Sequence, residues 1–316
     1  MNYKILFAGS GEFGAAILEK LTESEFKPVA LVTQPNKPVG RKQIPSPSRA
    51  KKIALEFDFK ILEPKNLKND EAEKMIKSFE PDLLVVADYG KIIPKNILDI
   101  PRFGAINIHP SLLPRHRGAT PIQSTILEGD KETGVTIILM DEQVDHGAII
   151  ASHKFEIENL KIGYGELLKK LAEMGGDLLL ETLPKWLSGE IGPIPQDESK
   201  ATYTKILTRE DGKIDWQKSA KEIDRQIRAF EEWPGTWSEW KDGKKTVRLK
   251  IIKAEILETG EAGTPGKVGV TESGEMLFSA AGENLKISEL QLEGKNKTTG
   301  REFLRGYQKI LGATLL

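Results

Sequence analysis

MNYKILFAGSGEFGAAILEKL, residues 1–21, is the stretch on which the fold turns. An apolar run from Lys4 to Ala8 precedes Gly9, Gly11 and Gly14, which stand at the G-x-G-x-x-G spacing. Ala15, Ile17, Leu18 and Leu21 follow at helical intervals. Strand, tight turn and helix are the expected elements. The glycine spacing raises the question of a bound dinucleotide, which also requires an Asp or Glu at the end of the next strand to hold a ribose hydroxyl. The next strand, PVALVTQ, ends in Gln34, and Pro35, Asn36, Lys37 and Pro38 supply no carboxylate. The turn therefore reads as close strand-to-helix packing rather than as a nicotinamide site.

Outward from that unit, short apolar strands alternate with amphipathic helices to about residue 185: KILFAG, PVALVTQ, PDLLVVAD, AINIHP and GVTIILMD. The alternation predicts a doubly wound, mostly parallel α/β sheet of Rossmann-like form over residues 1–188. Ligands of such sheets bind beyond the carboxyl ends of the strands, so the polar residues just after each strand matter most. GEIGPIPQDESKATY is rich in Gly, Pro and charge, and residues 189–204 read as a linker. A helix is expected from Trp216 to Phe230. TVRLKIIKAEIL, GKVGVT, EMLFSA and LKISELQL then predict a small OB-like β-barrel within residues 205–316.

The chain's 316 residues and 39% hydrophobic content suit two packed domains. A net charge of -1 gives no global attraction to polyanions, so any nucleic-acid affinity must come from local patches. No cysteine is present, which excludes disulfides, thiolate metal ligands and thiol nucleophiles together. With no apolar run of membrane-spanning length, a cytoplasmic protein without a membrane partner is expected.

The densest polar stretch is NIHPSLLPRHRGATPI, Asn107 to Ile122. Asn107 and His109 stand two apart at a strand end, so alternation places both side chains on one face. Pro110 and Pro114 stiffen the loop that follows. A second cluster, MDEQVDHG, ends another strand and carries Asp141, Asp145 and His146. If the two strand ends are neighbours, Asp145 reaches His109. An amide and an imidazolium can both donate to a carbonyl oxygen as it becomes tetrahedral and negative, and a carboxylate orients the imidazole and favours its charged form. This is chemistry for acyl transfer between nitrogens, and it needs no covalent nucleophile.

NIHPSLLPRHRGATPI followed by Asp145-His146-Gly147 resembles the folate-dependent formyltransferases, which use 10-formyltetrahydrofolate. The resemblance implies Asn107, His109 and Asp145 as catalytic residues, and a folate pocket at Tyr89, Gly90, Ser111, Leu112, Leu113, Pro114 and Asp141, with no metal. It makes the glycine triplet incidental to dinucleotides. Beyond the linker, ATYTKILTREDGKIDW, AKEIDRQIRAF and WPGTW resemble the C-terminal domain of methionyl-tRNA formyltransferases. QPNKPVGRKQIPSPSRAKKIA looks like that family's tRNA-contacting insertion. The implied partners are initiator methionyl-tRNA and folate, and the chain is expected to be a monomer. Asp88 departs from the small or apolar residue expected there, and His146 and Ala148 from the usual Thr, Ala or Asp.

Charge points the same way. Lys37, Arg41, Lys42, Arg49, Lys51 and Lys52 lie between Asn36 and Lys52 without an acidic residue, and Arg41 and Lys42 are the expected acceptor contacts. Lys241, Lys244, Lys245, Arg248, Lys250 and Lys253 form a second patch, with Arg248 and Lys250 on one face of a strand. Two basic patches on a neutral chain suit a phosphate backbone. Trp233 and Trp237 are expected in the core or at a domain interface; Phe13 either lines a slot for the methionyl side chain or packs. Two alternatives stand. A formyltransferase for a nucleotide-linked amino sugar implies a different C-terminal domain, and a non-catalytic nucleotide-binding module would need a carboxylate at Gln34.

Overall fold

The computed structural model describes residues 3–39, 44–257 and 263–316. Contacts divide the chain into two units. One comprises residues up to Pro121, Lys131–Ile157 and Leu167–Lys205; the other comprises Ile122–Asp130, Glu158–Glu166 and Ile206–Leu316. Residues 189–204 thus pack with the first unit.

The first unit begins β1 (Ile5–Gly9), α1 (Glu12–Thr22) and β2 (Ala30–Val32), then a hairpin of β3 (Lys37–Val39) and β4 (Ile44–Ser46). It continues through α2 (Arg49–Glu56), β5 (Lys60–Leu62), α3 (Asp70–Lys77), β6 (Leu83–Ala87), α4 (Lys95–Leu98) and β7 (Ala105–His109). Side-chain oxygens of Ser48 and Asn69 accept the backbone N–H groups of Lys51 and Ala72, which fixes where α2 and α3 start. After the short β8 (Arg117–Gly118) comes α5 (Pro121–Glu128), which from Ile122 on belongs to the second unit; β9 (Glu132–Leu139), β10 (Ile149–Glu156) and α6 (Tyr164–Ser188), the last in this unit from Leu167 on, follow, and β11 (Tyr203–Thr204) pairs with β8.

The main sheet runs β10-β9-β7-β6-β1-β2-β5, with β5, β2, β1, β6 and β7 mutually parallel. Helices cover both faces. On one, Ala72 and Ile76 of α3 and Ile97 and Leu98 of α4 pack with Leu6, Ala30, Leu84 and Ala105. On the other, Gly175 of α6 lies against Ile17 of α1, Ile108 and Val135. This is the doubly wound arrangement expected from the alternation.

One strand departs from the expected direction. β9, the strand read as GVTIILMD, is antiparallel to β7, with Asn107 opposite Ile138 and His109 opposite Thr136. Thr136 ties β9 to the chain leaving β7, because its hydroxyl donates to the Ser111 carbonyl and accepts the Leu113 N–H. β9 enters at the carboxyl edge of β7 and runs back along it. Residue periodicity carries no direction, and an apolar run fits either sense.

The glycine turn is occupied by the protein itself. α1 packs so close to β6 that a Cβ on Gly14 would overlap the Ala87 carbonyl, and one on Gly11 would overlap the Asp88 carboxylate. Asp88, at φ 51, accepts the Ser10 and Gly11 N–H groups on its carbonyl and the Phe13 N–H on its carboxylate. That carboxylate does for α1 what Gly11, the N-cap, lacks a side chain to do. Gln34 donates from Nε2 to the Tyr89 carbonyl at 2.6 Å, and its backbone N–H reaches Ser10 Oγ at 3.2 Å. The crevice between β1 and β6 is thereby laced with internal hydrogen bonds.

The second unit carries α7 (Ala220–Ala229), β12 (Thr236–Asp242), β13 (Lys245–Leu257), β14 (Val268–Val270), β15 (Met276–Ser279), β16 (Asn284–Leu292), β17 (Lys297–Thr299) and α8 (Gly300–Gly306). The helix expected from Trp216 starts later, at Ala220. Ser219 and Glu222 form a capping box there, while Trp216 is drawn into the core and donates to Ser238 Oγ. Antiparallel pairing in the order β12-β13-β16-β15-β14 curls into a small barrel. Backbone bonds from the final residues complete it: Leu316 exchanges two with Glu239 of β12, and Val268 of β14 donates to Ala313. Trp216, Trp240, Phe278 and Phe303 fill the interior.

Candidate active site

Asn107 and His109 project from the same face of β7, as alternation requires, with His109 4% exposed. The loop from Met140 to Ala148, closed by the Leu139 N–H to Ala148 carbonyl bond, carries Asp145 to both. Asn107 Nδ2 donates to Asp145 Oδ1 at 3.2 Å, and His109 Nδ1 stands 3.5 Å from the same oxygen. The other carboxylate oxygen accepts the Gly118 N–H at 2.8 Å. The trio expected from the sequence is therefore one cluster. Adjacent strand ends do not produce it, because β9 ends beside the start of β7; the loop folds back over β7 instead.

His109 Nε2 lies 3.0 Å from the His116 carbonyl. A carbonyl oxygen can only accept, so Nε2 carries a hydrogen and Nδ1 is the nitrogen left facing Asp145. The ring is held by His116 rather than by the carboxylate.

Around the trio lies a network absent from the sequence expectations. Arg117, with no exposed surface, donates from Nη1 and Nη2 to the Glu198 carboxylate at 2.9 and 2.6 Å, to Tyr203 Oη at 3.1 Å and to Gln196 Oε1 from Nε and Nη2. Hydrogen bonds from Arg117 hold the Glu198 carboxyl below its usual range. Gln196 Nε2 donates to the Asp145 and Gly147 carbonyls. His146 Nδ1 meets Asp141 Oδ2 at 2.5 Å, and its Nε2 faces Glu198 Oε1 at 3.6 Å. Arg117 sits inside the quoted motif, whereas Gln196, Glu198 and Tyr203 fall in the stretch read from composition as a linker.

The expected folate residues divide. Asp141 lines a cavity of about 780 Å3 together with Leu98, Phe103, Ala105, Leu139, Met140 and Trp186. Ser111, Leu112, Leu113 and Pro114 lie along the anchored loop, with Ser111 and Leu113 buried and the Leu113–Pro114 bond cis. Tyr89 is buried, its hydroxyl has no hydrogen-bond partner among the described residues, and burial pushes it up to about 12. Gly90 follows at φ 72 and is exposed. Asp88 keeps one side open to solvent, yet crowding by protein and then the Glu12 carboxylate push its carboxyl up to about 6.

Of the expected acceptor contacts, Arg41 and Lys42 lie outside the described residues. The run around them is less bare than it reads, since Arg49 pairs with Glu12 at 3.5 Å and Lys51 with Glu63 at 2.8 Å. Lys37 and Lys52 are exposed. Phe13 is 3% exposed and packs with the apolar side of α1. Arg248 and Lys250 share a face of β13, opposite Glu239 and Trp237. The Arg248 guanidinium lies 3.9 Å from the Trp237 ring centroid, and its Nε is buried without a partner among the described residues. Trp237 is buried, while Trp233 is 55% exposed.

Comparison with known proteins fits this architecture. The formyl transferase family profile matches residues 1–183, and that of the formyl transferase C-terminal domain matches 206–308. A methionyl-tRNA formyltransferase of Caldicellulosiruptor saccharolyticus is 42% identical over 96% of this chain and 97% of its own length. Two solved structures share the fold. HypX from Aquifex aeolicus, in complex with tetrahydrofolic acid, has a TM-score of 0.65 at 17% identity, over 98% of this chain and 48% of its own. WlaRD, a sugar 3N-formyl transferase, has a TM-score of 0.64 at 20% identity, over 94% of this chain and 100% of its own. The chain belongs to the formyl transferase family, among its two-domain methionyl-tRNA formyltransferases.

Proposed function

We propose that this chain transfers the formyl group of 10-formyltetrahydrofolate to the α-amino group of initiator methionyl-tRNA. The observation that carries the reading is the convergence of an amide, an imidazole and a carboxylate on one face of β7. The near full-length likeness to a methionyl-tRNA formyltransferase supports the acceptor, and the sugar-acting relative is similar only at the level of fold.

In this mechanism the amine nitrogen attacks the formyl carbon, and the carbonyl electron pair moves onto oxygen. Asn107 Nδ2, through the hydrogen it does not give to Asp145, and the protonated His109 Nδ1 donate to that oxygen as negative charge develops on it. Because Nε2 is committed to His116, Nδ1 is the atom that exchanges a proton. Asp145 holds the amide and faces the imidazole, and it stabilises the positive charge on the ring and on the amine nitrogen as the new bond forms. Collapse of the tetrahedral adduct breaks the bond to folate N10, which takes up a proton as the product amide nitrogen gives one up. The cavity that includes Asp141 is the proposed folate seat, and Arg248 and Lys250 on the C-terminal barrel are proposed tRNA phosphate contacts.

The test is direct: purified protein, 10-formyltetrahydrofolate and charged initiator tRNA should yield formylmethionine. Formylation of a nucleotide-linked amino sugar, with none of methionyl-tRNA, would replace this reading with the sugar one.

A further inference from the structure

We infer that Gln196 is a positioning residue for the reaction, setting the place of the Asp145 carboxylate from outside the catalytic trio; the inference rests on the catalytic reading of Asp145 proposed above. Asp145 holds φ at 50, in the left-handed region that non-glycine residues seldom adopt without outside support. Two grips supply that support. On the side-chain end, the Gly118 N–H donates to Oδ2 at 2.8 Å. On the backbone end, the two hydrogens of the Gln196 amide reach the Asp145 carbonyl at 2.8 Å and the Gly147 carbonyl at 2.7 Å, spanning the turn.

The amide can serve only in this orientation. Its oxygen accepts Arg117 Nε at 3.1 Å and Nη2 at 2.7 Å, so a flip would set NH2 against a guanidinium and oxygen against two carbonyls. Arg117 is itself fixed by the paired contacts to Glu198 and lies one residue before Gly118. Both grips on Asp145 therefore originate from β8, one directly and one through Gln196. A segment that composition marks as a connector thus grips, through two hydrogen bonds, the backbone that carries the carboxylate, while Gln196 touches no reacting atom.

Gln196→Ala removes the grip. Gln196→Glu separates its two halves, since a carboxylate still accepts from Arg117 but presents oxygen to both carbonyls. Both variants, in the full chain, should lower kcat about 10- to 100-fold by displacing Asp145, with KM for folate and for tRNA held within about twofold. In an Asp145→Asn background, Gln196→Glu should cause no further loss, because the group it positions is gone. If both Gln196 variants keep the parent kcat while Asp145→Asn falls, the inference is overturned and the trio stands. An equal fold-loss in both backgrounds would show Gln196 acting elsewhere and also overturn it. Parent-like turnover in Asp145→Asn would overturn the catalytic reading, and this inference with it.

Discussion

Replacing Asp145 by asparagine keeps the side chain's size and removes its charge. Oδ2 accepts the Gly118 N–H at 2.8 Å, and Oδ1 accepts Asn107 Nδ2 at 3.2 Å while facing His109 Nδ1 at 3.5 Å. An amide has one acceptor oxygen in place of two. If that oxygen serves Gly118, the NH2 group points at Asn107 and at an imidazolium, both of them donors. At 3.5 Å and an effective dielectric of about 20, the lost attraction between carboxylate and imidazolium is at most about 5 kcal/mol. The Asp145 side chain is 12% exposed, so solvent screens part of this. The expected loss of transition-state stabilisation is about 3–4 kcal/mol, or about 10²- to 10³-fold in kcat. Single-turnover formylation, with enzyme in excess over methionyl-tRNA and folate saturating, measures it as formylmethionine recovered after deacylation. Thermal denaturation reports separately the smaller stability loss of about 1–2 kcal/mol from the weakened Gly118 and Asn107 bonds. A single-turnover rate within about threefold of the parent, in a normally folded variant, would refute the reasoning.

His109→Ala and Asn107→Ala should each lower kcat by about 10²-fold or more with little change in either KM; steady-state kinetics check this, and near-normal turnover removes that residue from the reaction. Crowding by protein, and then the Glu12 carboxylate, push the Asp88 carboxyl up to about 6 in the folded chain, against about 3.9 when unfolded. The folded state therefore binds more protons between those values, and this group's contribution to stability is fully present below about pH 4 and lost as pH rises through about 6. Asp88→Asn should flatten the dependence of Tm on pH across that window, and an unchanged slope in thermal melts counts against the assignment. Arg248→Ala combined with Lys250→Ala should raise the KM for tRNA, leave that for folate alone and reduce the salt slope of tRNA binding by about two units; a parent-like slope takes β13 out of the interface.

The elements legible in the sequence are those whose signal is local. Residues 4–21 switch from a continuous apolar run to helical spacing across a glycine turn, and the structure places β1 and α1 there. The i, i+2 spacing of Asn107 and His109 was enough to put them on one face. The direction of β9 was not legible, because an apolar run fits either sense and the Thr136 contacts to Ser111 and Leu113 lie more than twenty residues earlier. Gln196 was hidden for the same reason: its partners Arg117 and Asp145 are 79 and 51 residues away, and a Gly- and Pro-rich neighbourhood says nothing about them. The start of α7 was available in Ser219 and Glu222, a capping box that a reading by apolar periodicity passes over. Which face of β13 carries Arg248 and Lys250 followed from alternation, whereas the indole beneath Arg248 depends on the register with β12.

The carboxylate of Asp88 on the α1 N-terminus changes what the glycine turn is as a receptor. In proteins that bind a pyrophosphate there, the anion comes from solution and competes with every other anion. Here the occupant is covalently tethered two residues past the Val86–Asn107 pairing of β6 and β7. Its effective concentration is on the order of millimolar or higher, whatever the composition of the surroundings. A free nucleotide must displace it before gaining anything from the helix dipole. One side chain thus makes the strand-to-helix turn a self-liganded joint, with the glycine geometry of a nucleotide fold and an anion of the chain's own at the helix N-terminus.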